Sequence, residues 1–82
     1  MKNISYYDNG GKTFDRITIV FNDTKTKAPD GNVLYEAIGS SLNGSGFFQH
    51  CYAVKGRHLG KKITFDELSP GLQQRIISYF ND

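Results

Sequence analysis

The sequence predicts an α+β fold, a small antiparallel β-meander of about four to five strands with one C-terminal amphipathic helix packed on it. Three features of the chain predict this. Short β-branched and aromatic runs near 4–7, 17–21, 33–38 and 47–54 are separated by stretches rich in Gly, Asn, Asp, Ser and Lys. Asn9-Gly10, a pair suited to the positive φ angles of a hairpin turn, lies between the first two runs. From Ser69 onward the apolar spacing changes to that of a helix.

Ile4-Ser5-Tyr6-Tyr7 begins the first strand and runs into Asp8-Asn9-Gly10-Gly11. In Ile17-Thr18-Ile19-Val20-Phe21, period-two alternation puts Ile17, Ile19 and Phe21 on one face and Thr18 and Val20 on the other. The intervening Lys12–Arg16 reads either as the start of that strand or as part of a longer loop, and the pair of strands as a hairpin. Asn22 to Asn32, polar and ending in Pro29-Asp30-Gly31, reads as an exposed connection. Val33 to Ile38 suits a third strand with one wetter face, a short helix being the competing reading. Gly39 to Gly46 reads as a loop, and Phe47 to Val54 as a fourth strand with Phe48, His50, Tyr52 and Val54 opposite Phe47, Gln49, Cys51 and Ala53. Lys55 to Lys62 reads as a basic connection and Ile63-Thr64-Phe65 as a short fifth strand.

The last element has the most explicit signals. Ser69 suits an N-cap, Pro70 the first helical position, and Asp66 and Glu67 lie where a helix dipole favours negative charge. Leu72, Ile76 and Phe80 make a stripe that Ile77 widens, with Gln73, Gln74 and Ser78 pointing away. So short a helix is marginal alone and must dock on an apolar sheet face.

Composition bounds the rest. Eighty-two residues make one domain, 1–82, with 38% apolar residues and eleven aromatics, six Phe and five Tyr. A net charge of +2 with that aromatic content argues against disorder. The longest apolar run, Cys51-Tyr52-Ala53-Val54, is far too short for a membrane span, and Met1-Lys2-Asn3-Ile4-Ser5 has no apolar signal core. The single Cys51 closes no intrachain disulfide, so a cytoplasmic, reducing setting is expected. A small core without staples gains from burial against a second copy, which makes a homodimer the expected state.

Tyr7-Asp8-Asn9-Gly10-Gly11-Lys12-Thr13 with Asp15-Arg16-Ile17-Thr18, and His58-Leu59-Gly60-Lys61-Lys62-Ile63 with Phe65, Leu68 and Gln73, resemble the opening and ending of a group of short uncharacterised phage and prophage proteins. Between them Ser41, Asn43, Gly46 and Gln49 fall where that group carries a Ser/Asn/Gly/Gln series. The chain departs from the group in lacking prolines in this middle segment and in placing Ser69 between Leu68 and Pro70. The resemblance implies a viral or mobile-element source and action inside a bacterial cell. It brings no established activity, so no catalytic residue carries over.

Several residue groups have chemical potential. Lys55, Arg57, His58, Lys61 and Lys62 stand in a segment with no acid, where Gly56 and Gly60 let backbone approach a phosphate and Tyr52 stacks on a base; the plain alternative is a solvated loop offsetting Asp66 and Glu67. Gly10-Gly11 fits turn chemistry better than a phosphate cradle, since neither standard glycine pattern is present. Asp15-Arg16 suits a local ion pair. His50 and Cys51 are strand neighbours and point to opposite faces, so they do not form a nucleophile pair; His50 reads as a half-buried sheet histidine and Cys51 as a small buried thiol. His50 and His58 have no ligand-type spacing, so neither a metal nor a cofactor is expected. Ser40, Ser41, Asn43 and Ser45, followed by Phe47-Phe48, make an adaptable binding loop, though any flexible connection uses the same composition.

The expected function is therefore a non-enzymatic interaction module, phage-encoded, that binds and modulates or inhibits a host or phage protein, a bacterial defence component being one candidate. Its surface would comprise Ser41, Asn43, Phe48, Tyr52, Lys55, Arg57, His58, Lys61 and Lys62. The two loops lie at opposite ends of one strand, so a single patch runs along the strand or is completed by a second subunit. The alternative is a small-ligand, nucleotide or nucleic-acid phosphate binder built on the same two loops, across an oligomer interface in one version. An enzyme rests only on scattered Asp, His and Cys.

Overall fold

In the computed structural model, which describes residues 3–13, 15–41 and 48–81, five strands build one antiparallel sheet: β1 (Ile4–Asp8), β2 (Ile17–Lys27), β3 (Val33–Ser40), β4 (Phe48–Ala53) and β5 (Lys61–Ile63). The helix α1 (Pro70–Phe80) follows, giving the expected α+β architecture. The order across the sheet is β4-β3-β2-β1-β5, so four strands run as a meander and the chain then crosses from one edge to the other.

Both faces of the sheet are covered, each by a different device. On one side Tyr6, Ile17, Ile19 and Ile38 pack under Leu68, Leu72 and Ile76; this is the helix side. On the other, Val20, Ala37 and Ala53 pack under Leu59, carried by the 54–60 segment that crosses from β4 to β5; this is the crossover side. Alternation within β2 sends Ile17 and Ile19 to the first side and Val20 to the second.

Two strands run further than expected, β2 through exposed residues and β3 through buried ones. β2 continues to Lys27 through residues that read as a connection, because the alternating Thr24-Lys25-Thr26-Lys27 pairs with β3. Val20 faces Ala37 whereas Lys25 faces Tyr35, a bulge in which β2 takes five steps to β3's two. Of the two readings of 33–38 the strand holds, and it takes in Gly39 and Ser40, buried opposite Thr18 and Ile17. β1 and β2 form the expected hairpin, with the longer of the two loops: the Asn9 amide donates to the Arg16 carbonyl, and its side-chain oxygen accepts from the amides of Gly11 and Lys12. Most of the Ser/Gly-rich loop, including Asn43 and Ser45, lies outside the described residues, as does Phe47.

The C-terminal quarter holds two corrections. β5 is Lys61–Ile63, not 63–65, because Thr64 breaks the strand: it caps a 3-10 turn (Phe65–Glu67), its amide donating to the Glu67 carboxylate at 2.8 Å. Asp66 and Glu67 therefore serve this turn and not the long helix. α1 has the expected cap, with Ser69 Oγ accepting from the Leu72 amide, and the expected buried Leu72 and Ile76. Ile77, however, is 42% exposed, while Gln73 turns inward and donates from Nε2 to the carbonyls of Phe65 and Leu68. The 3-10 turn and the Leu68 that follows it present those carbonyls beside the helix, so the Gln73 amide is satisfied there while Leu72 and Ile76 keep the buried stripe.

Candidate functional site

Residues directly opposed across an antiparallel pair share a face, so the register sorts the charged strand residues outside the β2 bulge, which holds Asp23. Tyr6 packs on the helix side; Asp8, two residues on, shares that side, and so does its β5 partner Lys61. Lys62 opposes Tyr7, which belongs to the crossover-side cluster. Tyr35 lies on the crossover side, which puts its partner Lys25 there, and Lys27 two residues further. Lys55 joins them with its ammonium 4.4 Å above the Tyr35 ring, and Arg57 and His58 lie exposed on the crossover itself. Glu36 takes the opposite side, paired with His50, and Asp66 and Glu67 sit in the turn whose Phe65 packs on the helix-side core.

The result is a sheet with sidedness of charge. Lys25, Lys27, Lys55, Arg57, His58 and Lys62 are on the crossover side; Asp8, Glu36, Asp66 and Glu67 are on the helix side. Asp15 adds its charge to the burial that raises the Cys51 thiol's pKa, so an acid also stands near the crossover side, and Arg16 and Lys61 are cations beside Asp8 on the helix side.

Four expected site residues thus come together: Lys55, Arg57, His58 and Lys62. Lys61 does not join them and lies instead beside Asp8, whose pKa its charge helps to lower. Tyr52, expected to stack beside the basic segment, points to the other side, since its neighbour Ala53 is in the crossover-side core. Phe48 packs against the helix-side core, and Ser41, half-buried at the end of β3, accepts from Ser40 Oγ through its carbonyl. Lys25 and Lys27 were missed; their signal is the Thr/Lys alternation of 24–27, a strand pattern with polar residues on both faces.

The ion pair of the first hairpin is Arg16 with Asp8, and not with its neighbour Asp15: Nε lies 2.8 Å from Oδ1 and Nη2 3.2 Å from Oδ2. Asp15 instead accepts from the Thr13 hydroxyl. His50 and Cys51 lie on opposite faces as expected. His50 is exposed, not half-buried, with Nε2 3.0 Å from the Glu36 carboxylate and its ring edge-on to Tyr52. Cys51 is half-buried, and burial raises its thiol pKa, which keeps it protonated and weakly nucleophilic. Among the described residues no three His, Cys, Asp or Glu side chains converge as a metal site would need, and no helix is long and apolar enough to cross a membrane.

No family model, curated protein or solved structure matches this chain.

The helix side carries a second surface. A groove of about 530 Å³ runs between β4 and α1, lined by Phe48, Gly71, Gln74, Arg75, Ser78 and Tyr79. The Arg75 guanidinium lies 4.9 Å over the Phe48 ring, and Tyr79 meets Phe48 edge-on. Four residues along the same strand, Tyr52 is 59% exposed.

Proposed function

We propose that this chain is a non-enzymatic binding module that docks an anionic surface of a partner protein on the crossover side of its sheet. One observation carries the reading: strand register together with the 54–60 crossover gathers Lys25, Lys27, Lys55, Arg57, His58 and Lys62 on that side, while Asp8, Glu36, Asp66 and Glu67 lie on the other. Separation of charge by face gives a small protein of low net charge one attractive surface, and complementary potentials raise association rates and exclude wrong partners. The resemblance to phage proteins makes a protein of the bacterial cytoplasm the partner class to test.

Immobilised chain incubated with bacterial lysate is expected to retain one acidic protein at about 50 mM salt and release it at about 500 mM, where charges are screened within a few ångströms. The triple variant Lys55→Glu/Arg57→Glu/Lys62→Glu is expected to lose it, and the helix-side control Lys61→Gln to keep it. Retention by the triple variant overturns the reading.

The same cations favour a second reading, a nucleic-acid backbone as the anion. Base stacking has no support, since Tyr52 lies on the far side and Tyr7 and Tyr35 are half-buried. Binding would then depend on phosphate contacts alone, with affinity for labelled duplex falling steeply with salt and indifferent to sequence. No shift in anisotropy at low salt removes it.

A further inference from the structure

The two edges of this sheet are unlike. β5 has three residues, two of them lysines, and turns away at Thr64, which are devices that discourage edge pairing. β4 has six residues, Phe48-Gln49-His50-Cys51-Tyr52-Ala53, with no proline and no Asp, Glu, Lys or Arg among them, and among the described residues only β3 pairs with it, on one edge. An exposed, uncharged edge of that length is a template for another strand.

On its helix side this edge has a projecting aromatic at one end and a groove at the other. Tyr52 is the most exposed large apolar side chain described. The groove begins at Phe48, with Tyr79 as an aromatic wall and Gln74 and Ser78 as polar groups able to take a phenol hydroxyl. Tyr52 and Phe48 are related by the same two-residue step either side of His50, and all three share one face.

We propose that β4 pairs with β4 of a second copy of this chain, antiparallel about a two-fold axis at His50, so that Tyr52 of each protomer enters the groove beside Phe48 of the other. An antiparallel strand centred on His50 puts Phe48 opposite the partner's Tyr52 and Tyr52 opposite the partner's Phe48. One symmetry operation therefore fills both grooves, as a self-complementary two-fold interface requires. A foreign strand would need an aromatic at a matching position, whereas β4 already has it. The strand brings no net repulsion to self-pairing, because each central His50 has its own Glu36 carboxylate at 3.0 Å. An axis perpendicular to the sheet also keeps both helices on one side and both cationic crossovers on the other, doubling the surface of the proposed function without depending on it.

The register has a covalent test. Centred on His50, Gln49 opposes the partner's Cys51 on the crossover side, while Cys51 does not oppose itself. Gln49→Cys is therefore expected to give a disulfide-linked dimer under mild oxidation, and the natural chain is not. Sedimentation of the natural chain across a concentration series is expected to show a dimer. Tyr52→Lys, and Ser78→Trp which fills the groove, are each expected to raise the dimer dissociation constant tenfold or more. Both variants should retain the far-ultraviolet circular dichroism of the natural chain, since Tyr52 and Ser78 are exposed. A monomer at all concentrations, or dimers indifferent to both substitutions, overturns the proposal; oxidation of the natural chain to a Cys51-linked dimer overturns the register.

Discussion

Arg16 reaches back across the first loop to Asp8, eight residues earlier, with both carboxylate oxygens engaged at 2.8 and 3.2 Å. The hydrogen bond from Arg16 holds the Asp8 pKa below the ordinary carboxylate value, helped by the Gly10 amide and the Arg16 and Lys61 charges, while burial works against them. A carboxylate whose pKa falls on folding contributes stability above its unfolded value, near 3.9, and that contribution is lost as pH falls through the folded value. The pair is partly exposed, at 36% and 22%, so the contribution is modest. Asp8→Asn is expected to lower stability by about 0.5–1 kcal/mol near neutral pH. Urea denaturation should find the gap between the two proteins closing as the pH falls below about 4. A gap of constant size across that range refutes the assignment.

Gly60, at φ +88°, lies where an added Cβ would come within 2.2 Å of the Asp8 carbonyl oxygen and 2.5 Å of Asn9 Cα. Gly31 has a similar φ, +92°, but open space around it. Both alanine substitutions carry the left-handed backbone penalty of roughly 1–2 kcal/mol. Only Gly60→Ala adds a collision with fixed backbone, so its thermal midpoint is expected to fall well below that of Gly31→Ala, with β5 amides losing hydrogen-exchange protection.

The Tyr6 hydroxyl is buried with no hydrogen-bond partner among the described residues, and its pKa is raised by burial. Its ring packs in the helix-side core, edge-on to Phe65 at 6.0 Å. Removing an unsatisfied buried group recovers its desolvation cost, so Tyr6→Phe is expected to be neutral or to stabilise by up to about 1 kcal/mol. Tyr6→Ala, which empties the site, is expected to cost roughly 3–5 kcal/mol by calorimetry or urea.

Gln73 and Gln74 are adjacent on α1 but differ in role. Gln73 donates to two carbonyls of the 3-10 segment, whereas Gln74 lines the open groove. Gln73→Ala is expected to cost about 1–2 kcal/mol, through lost hydrogen bonds and a loosened turn. Gln74→Ala should stay within about 0.5 kcal/mol in the same urea titration.

What the sequence made legible follows from the range of the forces involved. The helix from Pro70 to Phe80 was readable to the residue because its cap, its proline and its Leu72/Ile76 spacing are all local. β2 was readable as far as Phe21, where burial imposes alternation; beyond it Thr24 to Lys27 is exposed on both sides, and only pairing with β3 reveals it as strand. The inward turn of Gln73 and the outward turn of Ile77 depend on where the Phe65–Glu67 turn packs, which no local pattern encodes. The candidate surface divides in the same way. Lys55, Arg57 and His58 were visible as a charged run, but the separation of Lys61 from Lys62 and the recruitment of Lys25 and Lys27 needed the register of β5 and of the bulged β2.

The crossover has a consequence for the chain as it leaves the ribosome. β1, the first strand of this sheet in chain order, lies between β2 and β5, and β5 is about fifty residues downstream. Until that late segment emerges, the nascent four-stranded sheet has Ile17, Ile19 and Ile38 uncovered on one surface and Val20 and Ala37 on the other, with β1 an open rim. A fragment that stops after β4 but before Leu59 therefore leaves both surfaces bare, and one that stops between Leu59 and Leu68 still leaves the isoleucines bare, so each is sticky and prone to aggregate.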